Sequence, residues 1–161
     1  MTEGGVGLSV GSTAPEFSLA PGPGPDRVTL SESRGQPVVL LFFPLAFSGV
    51  CTDEMCRIAE DWSVWDALNA RVLGISVDSP FVNVKFARET GVPFPLLSDF
   101  NKDASRAYGV LYEDYFGMTG VAKRSAFVVD REGRIAYAWV TEDSGVLPPF
   151  EEIREAVVRL I

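Results

Sequence analysis

From Val38 to Phe43 the chain is apolar without interruption and is bounded by Pro37 and Pro44. Such a run predicts a central strand covered on both faces. The period then changes. Beginning at Cys51, apolar residues recur at Met55, Ile58, Trp62 and Trp65, which predicts a helix whose apolar face continues toward Leu68 and places both tryptophans in the core. Asp53 and Glu54 suit the positively polarised first turn of that helix. Val72–Ser76 reads as a second strand, and Ser79 with Pro80 supplies an N-cap and first-turn proline for a helix that Gly91 ends. Phe94–Leu97 is a short third strand. Asp99 or Asn101 caps a small helix that reaches Tyr108, and Gly109 stops it.

The segment 113–123, with Gly117 and Gly120, reads as loop. Ser125–Val129 and Ile135–Val140 flank the turn residues 130–134 as a hairpin, and Pro148-Pro149 opens a last helix with Phe150, Ile153, Val157 and Leu160 on one face. Upstream, the proline- and glycine-rich Pro21–Arg27 is a loop between short strands at Phe17–Leu19 and Val28–Leu30. This order predicts an α/β fold: a mixed central sheet with helices on both faces and an N-terminal extension of short strands. The first helix begins at the carboxyl end of a strand, where open α/β sheets place their sites.

Composition narrows the chemistry. At 161 residues and 47% hydrophobic, the chain suits one domain, residues 1–161, whose core needs no covalent staple. A formal net charge of −8 argues against nucleic acid and anionic membranes as partners, since both require a basic surface. There is no histidine, which removes the Ser-His-Asp triad, the Cys-His pair and His-ligated metal. Two cysteines alone leave a tetrahedral zinc site half empty, so neither metal nor cofactor is expected. Residues 1–17 hold an early Glu3 and neither a basic region nor a long apolar stretch. No secretory or transmembrane segment is read there, and the expectation is a cytoplasmic protein with reduced thiols.

Cys51 and Cys56 are the only cysteines, and Cys51 falls where strand gives way to helix. The first N–H groups of a helix lack intrahelical partners and carry partial positive charge; such surroundings lower a thiol pKa and expose a nucleophile. A buried cysteine that only packs is the bland alternative.

Pro44, Ser48 and Cys51 stand in the spacing P-x-x-x-[TS]-x-x-C, and here the chain resembles the peroxiredoxins. VGSTAPEFSL looks like that family's opening strand, FFPLAFSGVC like its active-site loop, PLLSD like its third-strand region, and RSAFVVDREGRI like its arginine-bearing hairpin. The resemblance implies a thioredoxin-like fold and a peroxidase in which Cys51 attacks peroxide and becomes a sulfenic acid. It also implies that Arg124 is the fixed cation that activates the sulfur, since a guanidinium stays charged and presents a rigid fork of donors. Ser48 stands where most relatives have threonine; it keeps the hydroxyl but loses the β-branch that restricts the rotamer. Pro44 walls the pocket without offering an N–H. The backbone N–H groups of Val50 and Cys51 are placed to hold the leaving oxygen. Glu54 orients an arginine or merely serves the helix dipole. Phe47 is a pocket wall or a partner contact, and Phe47, Phe81 and Tyr115 together would make the pocket apolar.

The second thiol is less determined. The C-x-x-x-x-C spacing resembles the Q-type peroxiredoxins, also called bacterioferritin comigratory proteins, whose resolving cysteine lies on the same helix. FFPLAFSGVC and PLLSDF look more like the AhpE-type enzymes, which work through one cysteine. Residues five apart on an intact helix have Cα atoms about 8.6 Å apart, whereas a disulfide needs roughly 4.4–6.8 Å. A Cys51–Cys56 bond therefore requires the start of the helix to unwind. The expectation is that Cys56 resolves Cys51, with a structural Cys56 and an external reductant as the alternative. The resemblance supplies the partners: a peroxide, a thioredoxin-like or low-molecular-weight thiol, and a monomer or homodimer. The competing functions are a thioredoxin-like disulfide oxidoreductase, which normally carries C-x-x-C, and a redox sensor that passes its oxidation to a partner.

Overall fold

The computed structural model describes residues 8–161. The reading made on residues 1–17 falls partly on residues 1–7, outside the described residues. A two-stranded antiparallel ribbon, β1 (Ser18–Leu19) and β2 (Val28–Thr29), flanks the Pro21–Arg27 loop, after which Leu30 enters a 3-10 turn rather than extending the strand. The main sheet is built from β3 (Val38–Phe42), β4 (Arg71–Ser76), β5 (Leu96–Ser98), β6 (Ser125–Val129) and β7 (Ile135–Val140), in the order β5-β4-β3-β6-β7. β3 is paired on both edges, parallel to β4 and antiparallel to β6, and is buried along its whole length because its alternate residues enter core clusters on both faces.

Period-two alternation along β3 divides the core. Val39, Leu41 and Phe43 face α1 (Gly49–Glu60), α3 (Pro80–Thr90) and α5 (Phe150–Val158) through Met55, Ile58, Phe86, Ile153 and Val157. Val38, Leu40 and Phe42 face Leu30, the N-terminal segment and α4 (Asp103–Ala107), with Tyr108 packed between Phe42 and Phe127. Helices therefore cover both faces unequally. Burial of side chains such as Met55 and Ile58 contributes about 1.5–3 kcal/mol each, which fixes the first helix against the sheet.

The apolar face that starts at Cys51 is carried by two helices. α1 ends at Glu60, Asp61 leaves helical geometry (φ −100°, ψ 21°), and α2 (Trp62–Asp66) follows. The break lets Trp62 pack on Phe94 and Trp65 on Phe150, two partners from different elements. A period alone cannot register it. α3 starts and stops as its residues predict: Ser79 Oγ accepts the Val82 N–H, and Gly91 ends it at φ 80°. At α4 the N-cap position belongs to Lys102, yet the Asp99 carboxylate accepts the Ala104 and Ser105 N–H groups, so Asp99 caps from further back. The 113–123 segment is loop held by isolated bridges, Leu111 to Ala122 and Tyr115 to Met118. Among the described residues, no helix is long and apolar enough to cross a membrane.

Candidate active site

The parallel and antiparallel pairings of β3 bring the chemistry to one end of the sheet. β3 runs toward Phe42, and the chain then passes Pro44 and Ser48 into α1. β6 runs the opposite way, pairing Ser125 with Phe42, so Arg124 sits just beyond the same end. Arg124 is in phase with Ala126 and Val128, whose side chains lie in the layer occupied by Cys51 and Met55. Topology and alternation together place a guanidinium beside the first turn of α1.

Cys51 is the third residue of α1 and is fully buried as a free thiol. Arg124 Nη2 donates to its Sγ at 3.2 Å, Nη1 donates to Glu54 Oε1 at 2.6 Å, and Nε donates to the Ser144 carbonyl at 3.1 Å. Three edges of the guanidinium are thus held, and with five N–H donors in all it retains others to direct at an oxygen near the sulfur. Arg124 and Glu54 form an ion pair shielded from solvent, at 1% and 0% side-chain exposure. A pair this buried cannot be weakened by water, and losing either partner strands a charge.

Burial pushes the Glu54 carboxyl up to about 7, more than the Arg124 charge and hydrogen bond pull it down. Its second oxygen, Oε2, has no hydrogen-bond partner among the described residues. Burial draws Arg124 down, but the charges of Glu54 and Cys51 more than offset this and hold it above its ordinary value. As Glu54 takes up a proton, more of the Arg124 charge is left uncompensated beside the sulfur.

Ser48 is the N-cap residue of α1, in extended geometry, but its hydroxyl does not cap; it donates to the Leu45 carbonyl at 3.0 Å. The first bond inside the helix is Thr52 N–H to Ser48 O at 2.9 Å, seconded by Thr52 Oγ1 to the same oxygen. The N–H groups of Val50 and Cys51 precede it and belong to the helix's unpaired set. Pro44 is buried at the head of the loop. Phe47 is half exposed, at φ 69°, with its ring 5.0 Å from that of Phe86.

The structure therefore brings together Cys51, Arg124 and Glu54, with Pro44, Ser48, Val50 and Phe47 in the chain segment leading to the sulfur. It does not bring Phe81 there: Phe81 is exposed and lines a separate groove with Leu19 and Phe100. Tyr115 reaches the site from behind, through Ser144. Cys56 lies one turn further along an unbroken α1, half-buried and free.

Two residues that hold the site's parts in place escaped the sequence. Asp78 Oδ2 accepts the Ala46 N–H at 2.8 Å and the Ser76 hydroxyl at 2.7 Å, tying the loop before α1 to the end of β4. The only local signal was a Ser-x-Asp at a strand end. Ser144 acts through a backbone carbonyl, for which side-chain identity gives no signal at all. Among the described residues no cluster of three or more Cys, Asp or Glu side chains is placed to hold a metal ion.

Residues 10–138 match the AhpC/TSA family. The chain is 41% identical over 134 residues to alkyl hydroperoxide reductase E of Mycobacterium bovis, covering 81% of this chain and 84% of that one. It is 36% identical over 141 residues to the chloroplastic 2-Cys peroxiredoxin BAS1 of Spinacia oleracea, covering 81% of this chain and 52% of that one. AhpC of Mycobacterium tuberculosis superposes with a TM-score of 0.79 at 27% identity, covering 95% of this chain and 93% of that structure. The fold is the thioredoxin-like α/β fold of the peroxiredoxins, with Arg124 and Cys51 in contact at its sheet end. On both sequence and structure, the chain belongs to the AhpC/TSA family.

Proposed function

We propose that the chain is a single-domain, cytoplasmic thiol peroxidase in which Cys51 reduces hydrogen peroxide or an organic hydroperoxide. The observation that carries this reading is the 3.2 Å contact between Arg124 Nη2 and Cys51 Sγ in the first turn of α1. The thiolate attacks one peroxide oxygen, the S–O bond forms as the O–O bond breaks, and the other oxygen leaves as alkoxide or hydroxide and takes up a proton. Sulfur is oxidised by two electrons and the peroxide is reduced by two. Arg124 and the N–H groups of Val50 and Cys51 stabilise the charge that develops on the leaving oxygen. The Ser48 hydroxyl contributes a donor by turning from Leu45 O, Pro44 and Phe47 exclude water, and Glu54 orients Arg124.

Cys56 then resolves the sulfenic acid: its thiolate attacks Cys51 Sγ, the S–S bond forms as the S–O bond breaks, and the oxygen leaves as hydroxide and takes up a proton to become water; a thioredoxin-like or small thiol reduces the disulfide by exchange. Support comes from Cys56 being the only other thiol, on the same helix. The intact α1 requires this step to open the first turns, which is inexpensive at a helix end.

Stopped-flow tryptophan fluorescence of the reduced protein against hydrogen peroxide and cumene hydroperoxide tests the reading. A fast phase present in the native protein and absent in Cys51→Ser is expected; no fast phase with either peroxide overturns it. Intact mass after substoichiometric peroxide separates the two fates of Cys51. Loss of two hydrogens marks the disulfide, while a persistent sulfenic acid identical in Cys56→Ser assigns reduction to an external thiol.

A further inference from the structure

Arg124 is held on three sides, and the third of these leads away from the site. Its Nε donates to the Ser144 carbonyl at 3.1 Å, and the Tyr115 hydroxyl donates to Ser144 Oγ at 3.0 Å. Ser144 thus joins the arginine to a tyrosine on a different loop. That loop is itself fixed. The Tyr115 ring stacks on Tyr112 with centroids 4.8 Å apart, and Phe116 meets it edge-on at the same separation. Tyr112 in turn donates to the Glu142 carbonyl at 2.7 Å, so two tyrosines hold the 142–144 segment. Within the segment Asp143 Oδ1 accepts the Gly145 N–H at 2.9 Å, and just before it the Thr141 N–H donates to Arg124 O at 3.1 Å.

We propose that Tyr115 is a positioning residue for the peroxidase reaction: through Ser144 it sets the plane in which Arg124 presents its N–H groups to an oxygen beside Cys51. A guanidinium is planar, so the direction of its Nε bond fixes the directions of Nη1 and Nη2. Glu54 takes Nη1 from the α1 side; the Ser144 carbonyl takes Nε from the opposite side. With both held, Nη2 has one orientation available, toward Cys51. If Ser144 drifts, the fork can pivot about its 2.6 Å contact with Glu54, and a donor aimed at a developing oxyanion loses strength steeply with angle.

This rests on the peroxidase reading, and the test distinguishes the two. Tyr115→Phe, Ser144→Ala and the double variant are prepared in a Cys56→Ser background. The second-order rate of Cys51 with hydrogen peroxide is compared with its rate of alkylation by iodoacetamide, which needs an accessible thiolate but no aimed guanidinium. Each single variant is expected to lower the ratio of peroxide rate to alkylation rate about three- to tenfold, the size of one modest hydrogen bond. The double variant is expected to be no worse than the poorer single one, because both changes cut the same link. A ratio unchanged in both single variants, effects that multiply in the double, or equal losses in both reactions would overturn the proposal. A parent protein that does not react with peroxide at all would overturn the peroxidase reading instead.

Discussion

The two cysteines occupy successive turns of one helix and have different neighbours. At the first turn Cys51 is sealed in the core, contacts Arg124, and follows a loop anchored by Asp78 and Ser48. One turn later Cys56 is half-buried on the same unbroken α1. Helix identity is common to both, so it cannot explain the difference. What separates them is the face of α1 that each occupies: the end of β3 and the start of β6 converge on the face that carries Cys51 and Glu54. The surroundings of this thiol are set by the sheet end, and the helix supplies the amides.

The sharpest way to break this comparison is to exchange which sulfur is present. Cys51→Ser is expected to abolish peroxide reduction, while Cys56→Ser keeps the first reaction with peroxide within about twofold, following the ordinary scale for substitutions outside such a site. Single-turnover kinetics measure both, and comparable losses in the two variants would mean that the turns are functionally equivalent.

Arg124→Gln comes next. Removing a donor aimed at developing negative charge costs about 10²–10³ in rate. The change also strands Glu54 in the core, so it is made together with Glu54→Gln to preserve folding. A double variant that reacts with peroxide as fast as Glu54→Gln alone would remove Arg124 from the chemistry.

Glu54 has a smaller effect with a definite sign. Its folded-state pKa is raised from 4.5 to about 7 by burial, so between those values the folded protein binds more protons than the unfolded chain. Its contribution to stability is therefore greatest below about pH 4.5 and is lost as pH rises through about 7, by of order 3 kcal/mol at most. In denaturant melts from pH 4.5 to 7.5, Glu54→Gln should lose this downward component of the stability profile. An identical slope in both proteins would show that Glu54 does not titrate in the fold.

Asp78→Ala gives the smallest change. It removes the acceptor for the Ala46 N–H and the Ser76 hydroxyl, at a cost of about 1.5–3 kcal/mol for hydrogen bonds to a charged group. The loop before Cys51 should then exchange its amide protons faster, while amides in the second turn of α1 change less. Uniform loss of protection along the helix would mean that the two turns are not held separately.

Much of this was legible from residue order. The strand at 38–43, the capped helix ending at Gly91 and the 125–140 hairpin each follow from local patterns of apolar spacing, caps and turn residues. The break at Asp61 was not legible, because Trp62 and Trp65 continue the helical spacing and only their separate partners, Phe94 and Phe150, require the chain to turn. Phe81 looked like a pocket residue by type, but its position near the start of α3 directs it to another surface.

For the site itself, the sequence by itself determined the chemical components: a thiol at a strand-to-helix junction, no histidine to activate it, and an arginine preceding a strand of the right phase. Those follow from residue type and short-range spacing, which a linear chain displays directly. Only the tertiary structure decided that Arg124 touches Cys51 and that burial pushes Glu54 up to about 7. The hydrogen bonds of Asp78, Ser144 and Tyr115 around the site were decided there too. The physical reason is that burial, direction and distance depend on contacts between segments far apart in the chain, such as Cys51 and Arg124, 73 residues apart, and these exist only once the sheet has paired.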